Sequence, residues 1–253
     1  MNRVHTGATG LLVAIALAAG AEQTLADGRD AMFEKDTIDT GEQAIEITFI
    51  GHGTLMFTYR GKVTHVDPVS READYSKMPK ADLFLVTHEH GDHLDPKAIK
   101  RIRTDDTVVI LTKRCAEKVA GGVVMTNGDT RDALSLKIEA LPAYNIVHKR
   151  PNGEPFHPRG VGNGYIITFG ARRVYVAGDT ENTPEMKALK KIDIAFLPMN
   201  LPYTMTPEMV ADAAKAFRPK VLYPYHFGTT DTSTLVTLLA DEKDIEVRIR
   251  KME

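Results

Sequence analysis

The sequence predicts an α+β fold, an αββα sandwich in which two mixed sheets pack face to face with helices outside. Two observations carry this. Three short strand-like runs follow residue 43 and give way to alternating strands and helices, and the same order recurs beyond residue 164. A chain of 253 residues, 43% apolar and 26% charged, is also long enough to bury one large core.

Taken in order, residues 1–26 read as a secretory signal peptide. Arg3 precedes the apolar run 11–19, too short to span a bilayer, and Ala19-Gly20-Ala21 and Thr24-Leu25-Ala26 both fit small-x-small cleavage patterns. The mature chain, 27–253, is then expected to be periplasmic or secreted, with no stable membrane anchor after cleavage. Cys115 stands alone and makes no internal disulfide. A polar lead-in runs through Gln43. Strands are predicted over 45–50, 54–59 and 62–66, with turns at Gly51-His52-Gly53 and Arg60-Gly61.

The apolar run 82–86 reads as a buried strand, followed by helix 96–103 with Pro96 in its first turn, strand 108–111, helix 114–120 and strand 134–141. Residues 142–164, rich in Pro, Gly, His and Asn, read as a long functional loop. Strands over 165–169 and 173–177, a helix, strand 192–197, helix 207–217, strand 221–225, helix 234–241 and strand 245–249 complete the second half. No linker divides the two. The net charge of −2 gives no reason to expect nucleic acid or anionic membrane as a partner, and the basic stretch 97–103 reads as a solvated helix face.

Chemistry concentrates in His88-Glu89-His90-Gly91-Asp92-His93. With nine histidines in the chain, a chance match to His-x-His-x-Asp-His is on the order of one in a thousand. Imidazole and carboxylate are both good zinc ligands. In a turn leaving a strand end, His88 and His90 project to one side, and a bend permitted by Gly91 directs Asp92 and His93 to a second point. One loop thus supplies ligands to two metals.

These residues resemble the metallo-β-lactamase superfamily, and in particular its ascorbate-6-phosphate lactonase and N-acyl-phosphatidylethanolamine phospholipase D branch. Gly51-His52-Gly53-Thr54-Leu55, His65-Val66-Asp67-Pro68, Ala177-Gly178-Asp179-Thr180 and Tyr223-Pro224-Tyr225-His226-Phe227-Gly228 extend the resemblance over most of the mature chain. It implies the metallo-β-lactamase fold, Asp179 as a bridging carboxylate and His226 as the last histidine ligand. The third histidine of the first metal is open between His157 and His148, or the position is left open. The related branch carries a ligand where this chain has Asn145. Asp67 is expected beside the metal loop, holding a ligand histidine. His52 either faces the site or caps its hairpin, and His65 reads as a packed histidine.

The function implied is dinuclear metal-dependent hydrolysis of a small-molecule ester, lactone or phosphodiester, with zinc as the first choice and manganese or iron as alternatives. Two Zn²⁺ less the charges of Asp92, Asp179 and a bridging hydroxide leave about +1, suited to a substrate gaining negative charge. Asp92 or Asp179 would orient the hydroxide or carry a proton, and Tyr203 is the first candidate for a contact with the substrate. Two other readings stay open: a periplasmic metal-binding protein without catalysis, and an iron-dependent redox member of the fold. The second is opposed by His90, where diiron relatives carry Glu.

Overall fold

The structure, a computed structural model, describes Met1 and residues 33–252. The signal-peptide reading and its cleavage patterns lie outside the described residues. The first sheet takes β1 (Glu34–Asp39), β2 (Ala44–Gly51), β3 (Thr54–Tyr59), β4 (Lys62–Val66), β5 (Leu83–Leu85), β6 (Val108–Leu111) and β7 (Val123–Val124) in that order. Helix α1 (Pro96–Ile102) joins β5 to β6, and α2 (Lys113–Ala116) joins β6 to β7. The second sheet takes β8 (Thr130–Ala133), β9 (Leu136–Ala143), β10 (Gly162–Phe169), β11 (Arg172–Val176), β12 (Ile194–Pro198), β13 (Val221–Tyr225) and β14 (Glu246–Val247). Its crossovers carry α3 (Pro184–Lys187), α4 (Pro207–Phe217) and α5 (Thr232–Leu238).

Both sheets follow one plan. The first four strands pair antiparallel and the last three join in parallel, in the first sheet and again in the second. The parallel strands β4, β5 and β6 therefore release their loops at one edge, as do β11, β12 and β13. Crevices at such carboxyl ends are where open α/β sheets place ligands. Asp67, residues 88–93, Asp179 and His226 all follow these strands.

Alternating apolar residues close the sandwich. Ile45, Ile47, Phe49, Leu55 and Phe57 pack on Tyr165, Ile167, Phe169 and Phe196, all buried. Phe57 lies 5.5 Å from Phe169 and Phe49 5.0 Å from Tyr223, ring centre to centre. Truncating one such fully buried Phe to Ala costs about 3–5 kcal/mol. On the outer face of the first sheet Met56, Phe84, Val86, Ala98, Ile99 and Ile102 form a separate layer under α1. The helices start where capping chemistry dictates: Asp95 accepts from the Lys97 N–H and Thr206 from the Met209 N–H, each followed by Pro at the first helical position.

Several elements differ from expectation. The polar lead-in contains β1, an edge strand whose partly buried residues lean on β2. The strand expected over 134–141 is present as β9 but starts two residues later, because Leu134 and Ser135 both take left-handed backbone (φ 50° and 64°) and form the turn from a further strand, β8. Helix α2 stops at Ala116, and the loop expected over 142–164 is shorter because β9 and β10 extend into it.

Candidate metal centre

The loop after β5 is a tight turn in which His93 N–H and Leu94 N–H both donate to the His90 carbonyl. Gly91 does not make this bend possible. Its φ is not in the left-handed region and a Cβ there would meet nothing within 4 Å. The glycines that matter are Gly53 and Gly178. A Cβ on Gly53 would lie 2.5 Å from the His93 ring, and Gly178, at φ 65°, would drive one to 2.9 Å from the Asn163 carbonyl. His52, Asp67 and His226 also hold left-handed backbone (φ 47–49°), a conformation that non-glycine residues keep mostly at functional sites.

Their side chains converge in two groups. One is His88, His90 and His157; the other is His52, Asp92, His93 and His226; and His88 and His93, one from each, also gather with Asp179. Asp179 sits between them, its Oδ2 3.3 Å from His157 Nε2, 3.4 Å from His226 Nε2 and 3.8 Å from His88 Nε2. Its Oδ1 is 3.2 Å from His93 Nε2. His157 Nε2 is 3.2 Å from His90 Nδ1.

These spacings test whether metal fits. Charge-assisted hydrogen bonds close to about 2.7–2.9 Å, whereas two ligands about 2.0–2.1 Å from a tetrahedral zinc lie about 3.3–3.4 Å apart. The pairs here sit mostly at the second spacing. His88 Nε2, His93 Nε2, both nitrogens of His226 and Asp179 Oδ1 are buried without a hydrogen-bond partner, a costly arrangement unless something accepts their lone pairs. The donor set, nitrogen with two carboxylates, suits a divalent ion.

Neighbouring groups assign the tautomers. His93 Nδ1–H donates to Asp67 Oδ2 at 2.8 Å. His157 Nδ1–H donates to Asn145 Oδ1 at 2.8 Å. Thr87 gives its hydroxyl proton to Asp67 Oδ2 and accepts from His88 Nδ1–H at 3.0 Å. Each ring is left with a free Nε2 aimed inward. Asp67 is wholly buried; burial pushes its carboxyl up, and the bonds from His93 and Thr87 only partly offset this. For Asp179 burial also pushes up, but the imidazoles of His226 and His93 outweigh it and hold the carboxyl well below its usual range.

Every candidate site residue named from the sequence can be placed. His88, His90, Asp92, His93, His157, Asp179 and His226 come together. His148 does not: its Nδ1 lies 2.8 Å from Glu181 Oε1. His52 faces the site, with Nε2 3.4 Å from Asp92 Oδ2. His65 is buried between Tyr75 and Phe84, outside the site, and burial lowers it to about 4. Tyr203 is half exposed at the rim, its ring edge-on to Phe156 at 5.2 Å. Cys115 is buried, its thiol pushed up to about 11 by burial, and lies under the outer helices. That makes it a poor nucleophile.

Two residues outside the donor set, Glu181 and Asn145, hold the site in shape, and the sequence did not mark Glu181. Glu181, fully buried, accepts the backbone N–H groups of Ile146, Val147 and His148 at 2.7 Å each, and Asn145 Nδ2 at 3.2 Å. Asn145 in turn fixes His157 through its ring and its backbone N–H. The asparagine at the place where the related branch carries a ligand is thus the residue that orients His157. Glu181 follows Asp179 by two positions, the only local hint.

The cleft over the two groups has a volume of about 450 Å³ and is lined by His52, Arg71, Asp92, Arg150, Phe156 and Tyr203 among others. That is the size of a small-molecule site. Arg150 stacks over Phe156 at 5.0 Å and has no carboxylate within ion-pair distance among the described residues.

Three comparisons bear on this arrangement. The family model described as the beta-lactamase superfamily domain matches residues 46–226. A UPF0173 metal-dependent hydrolase from Methanopyrus kandleri is 31% identical over 196 residues, covering 73% of this chain and 85% of that protein. A crystal structure from Parabacteroides distasonis, provisionally named a metal-dependent hydrolase, is 52% identical, covers 87% of this chain and 100% of its own, and superposes with a TM-score of 0.83. Igni18, a metallo hydrolase from Ignicoccus hospitalis, shares the fold with a TM-score of 0.66 at 24% identity, over 82% of this chain and 95% of its own.

Proposed function

The chain belongs to the metallo-β-lactamase superfamily and to its UPF0173 metal-dependent hydrolases, and from that premise we propose a dinuclear hydrolase acting on a small ester, lactone or phosphodiester that carries an anionic group. One observation carries the reading: Asp179 lies between two adjoining donor groups, 3.3 Å from His157 and 3.4 Å from His226. His88, His90 and His157 would hold one ion, Asp92, His93 and His226 the other, and Asp179 would serve both. The nitrogen-rich set favours zinc. Bound ions supply Lewis acidity, lowering the pKa of water towards 7 and polarising the attacked group.

The protein's own groups do the rest. Asp179, buried and held ionised, acts as an acceptor and never as an acid. Asp92, about one-third exposed towards the cleft, is likewise held well below its usual range, burial being outweighed by His226 and His52, and orients the attacking water as an acceptor. Arg150, already flattened on Phe156, pairs with the substrate's anionic group as a planar fork. Phe156 and Tyr203 form an apolar wall, continued at the surface by Leu201, Ile146 and Val147, all exposed. The substrate class proposed is therefore an ester, lactone or phosphodiester that joins an anionic group to an apolar part, in line with the lactonase and phospholipase branch.

Metal-loaded protein, with zinc and with manganese, is tested on a phosphodiester, a lactone, a thioester and a β-lactam. Turnover of an anionic ester, lactone or phosphodiester is expected, with KM raised by Arg150→Ala and kcat little changed. Two bound ions with no turnover of any substrate would favour the metal-binding protein without catalysis. Export is proposed separately: the native protein is expected to begin near Glu22 or Asp27, and N-terminal sequencing that finds Met1 or Asn2 removes it.

A further inference from the structure

We infer that His52 is a fourth protein ligand of the second metal position, beside Asp92, His93 and His226, giving that position one donor more of its own than the first. The inference rests on the dinuclear reading and adds a residue to it. His52 occupies the tight turn between β2 and β3 in left-handed backbone. That turn is tied to the rim: the His52 carbonyl accepts the His226 N–H at 2.9 Å, and the His52 N–H donates to the Met252 carbonyl. The imidazole is thereby carried over the end of β13.

The ring then lies 3.8 Å from the His226 ring and 6.1 Å from that of His93, centre to centre. Its Nε2 is buried and unpartnered. Its nearest acid, Asp92 Oδ2, is at 3.4 Å. That is too long for a charge-assisted hydrogen bond, which closes to about 2.7–2.9 Å, and equal to the edge of about 3.4 Å between two ligands on one tetrahedral zinc. The donor atoms of His52, Asp92, His93 and His226 all lie within 4.8 Å of one another.

Topology gives an independent reason. The connection β2–β3 in the first sheet corresponds to β9–β10 in the second, since strand orders and directions repeat. The β9–β10 connection supplies His157 to the first group; the β2–β3 connection supplies His52 to the second. The two positions then differ. Besides Asp179, which reaches both, the second has four donors of its own and the first has three. The second ion is the one retained when metal is scarce.

The test uses the full chain and zinc, read as stoichiometry and as stepwise affinity in competition with a chelator. His52→Asn keeps left-handed backbone, which Asn tolerates, and offers an amide to Asp92. Wild type is expected to bind two ions per chain. His52→Asn is expected to weaken the tighter step by more than about 100-fold, beyond the roughly 10–100-fold cost of an outer residue, and to leave the weaker step within a few-fold. His52→Gly, equally at ease in that backbone, is expected to recover the tighter step when imidazole is added, with metal-free unfolding temperatures of all forms alike. A loss of 100-fold or less, or no recovery with imidazole, overturns the assignment of His52. Fewer than two ions in wild type overturns the dinuclear reading itself, and this inference with it.

Discussion

The two sheets are built alike and used differently. Strand for strand, β1–β7 and β8–β14 share order and direction, yet their rims carry unlike chemistry. The loop after β5 bears His88, His90, Asp92 and His93; its counterpart after β12 bears Asn200, Leu201 and Tyr203 and has no metal donor among the groups found. The carboxylate after β4, Asp67, is sunk beneath His93, whereas the one after β11, Asp179, reaches both donor groups. A repeated scaffold thus yields one half that furnishes most of the donors and another that shapes the cleft.

The largest expected effect sharpens the one donor that the second half places in a long loop. His157→Ala is expected to weaken one metal by more than about 100-fold, while His148→Ala stays within the 10–100-fold range of outer residues. Competition with a chelator measures both. A larger loss with His148→Ala would move the ligand to His148, within the same β9–β10 connection, and overturn the role given to His157.

The next effect lies behind the rims. His65 in β4 and Tyr175 in β11 occupy the penultimate position of matching strands, and both are buried. Only the histidine titrates in the physiological range. Burial lowers it from 6.5 to about 4, so the unfolded chain takes up a proton below pH 6.5 that the folded chain refuses until about pH 4. The stability it contributes is complete above pH 6.5 and is lost as pH falls to 4, by up to about 3 kcal/mol. In metal-free protein, urea midpoints of wild type are expected to fall more steeply over that window than those of His65→Gln. Parallel profiles would show that His65 is not shielded as placed.

Asp67→Asn comes third. It keeps the shape but removes the charge that holds His93 Nδ1–H, and a loss of about 10–100-fold in affinity for one metal is expected. An effect as large as that of His157→Ala would make Asp67 more than a support for the ring.

How much of this was readable follows from the range of each signal. Strands β3, β4, β6 and β13 and helix α4 coincide with their apolar patterns, because burial of a whole strand or helix face leaves a local imprint. The metal loop was readable for the same reason: four donors within six residues need no partner to be noticed. β1 was missed because Glu34–Asp39 is mostly polar and is a strand only through its pairing with β2. The β8–β9 turn was missed because Leu134 and Ser135 are not residues that announce left-handed backbone. Glu181 left no trace beyond its place two positions after Asp179, since its worth lies in three N–H groups more than thirty residues away in sequence. His52 was visible as a residue but not as a direction, which depends on where β13 ends.

The smallest effect concerns the loop after β12. Tyr203 is anchored by its backbone, whose carbonyl accepts Asn145 Nδ2 at 2.9 Å, while its ring stands half exposed against Phe156. It touches no donor of either metal group, so its removal should leave metal binding alone. A partly exposed aromatic edge on a substrate contributes about 1 kcal/mol, which corresponds to about a five-fold change. Tyr203→Ala is therefore expected to raise KM for bis(4-nitrophenyl) phosphate about five-fold with kcat unchanged, the pattern of lost uniform binding. Tyr203→Phe, which keeps the ring and loses the hydroxyl, should behave as wild type. If Tyr203→Phe instead lowers kcat, the hydroxyl acts on the reacting atoms. The second half's loop would then be a catalytic counterpart to the metal loop rather than a wall beside it.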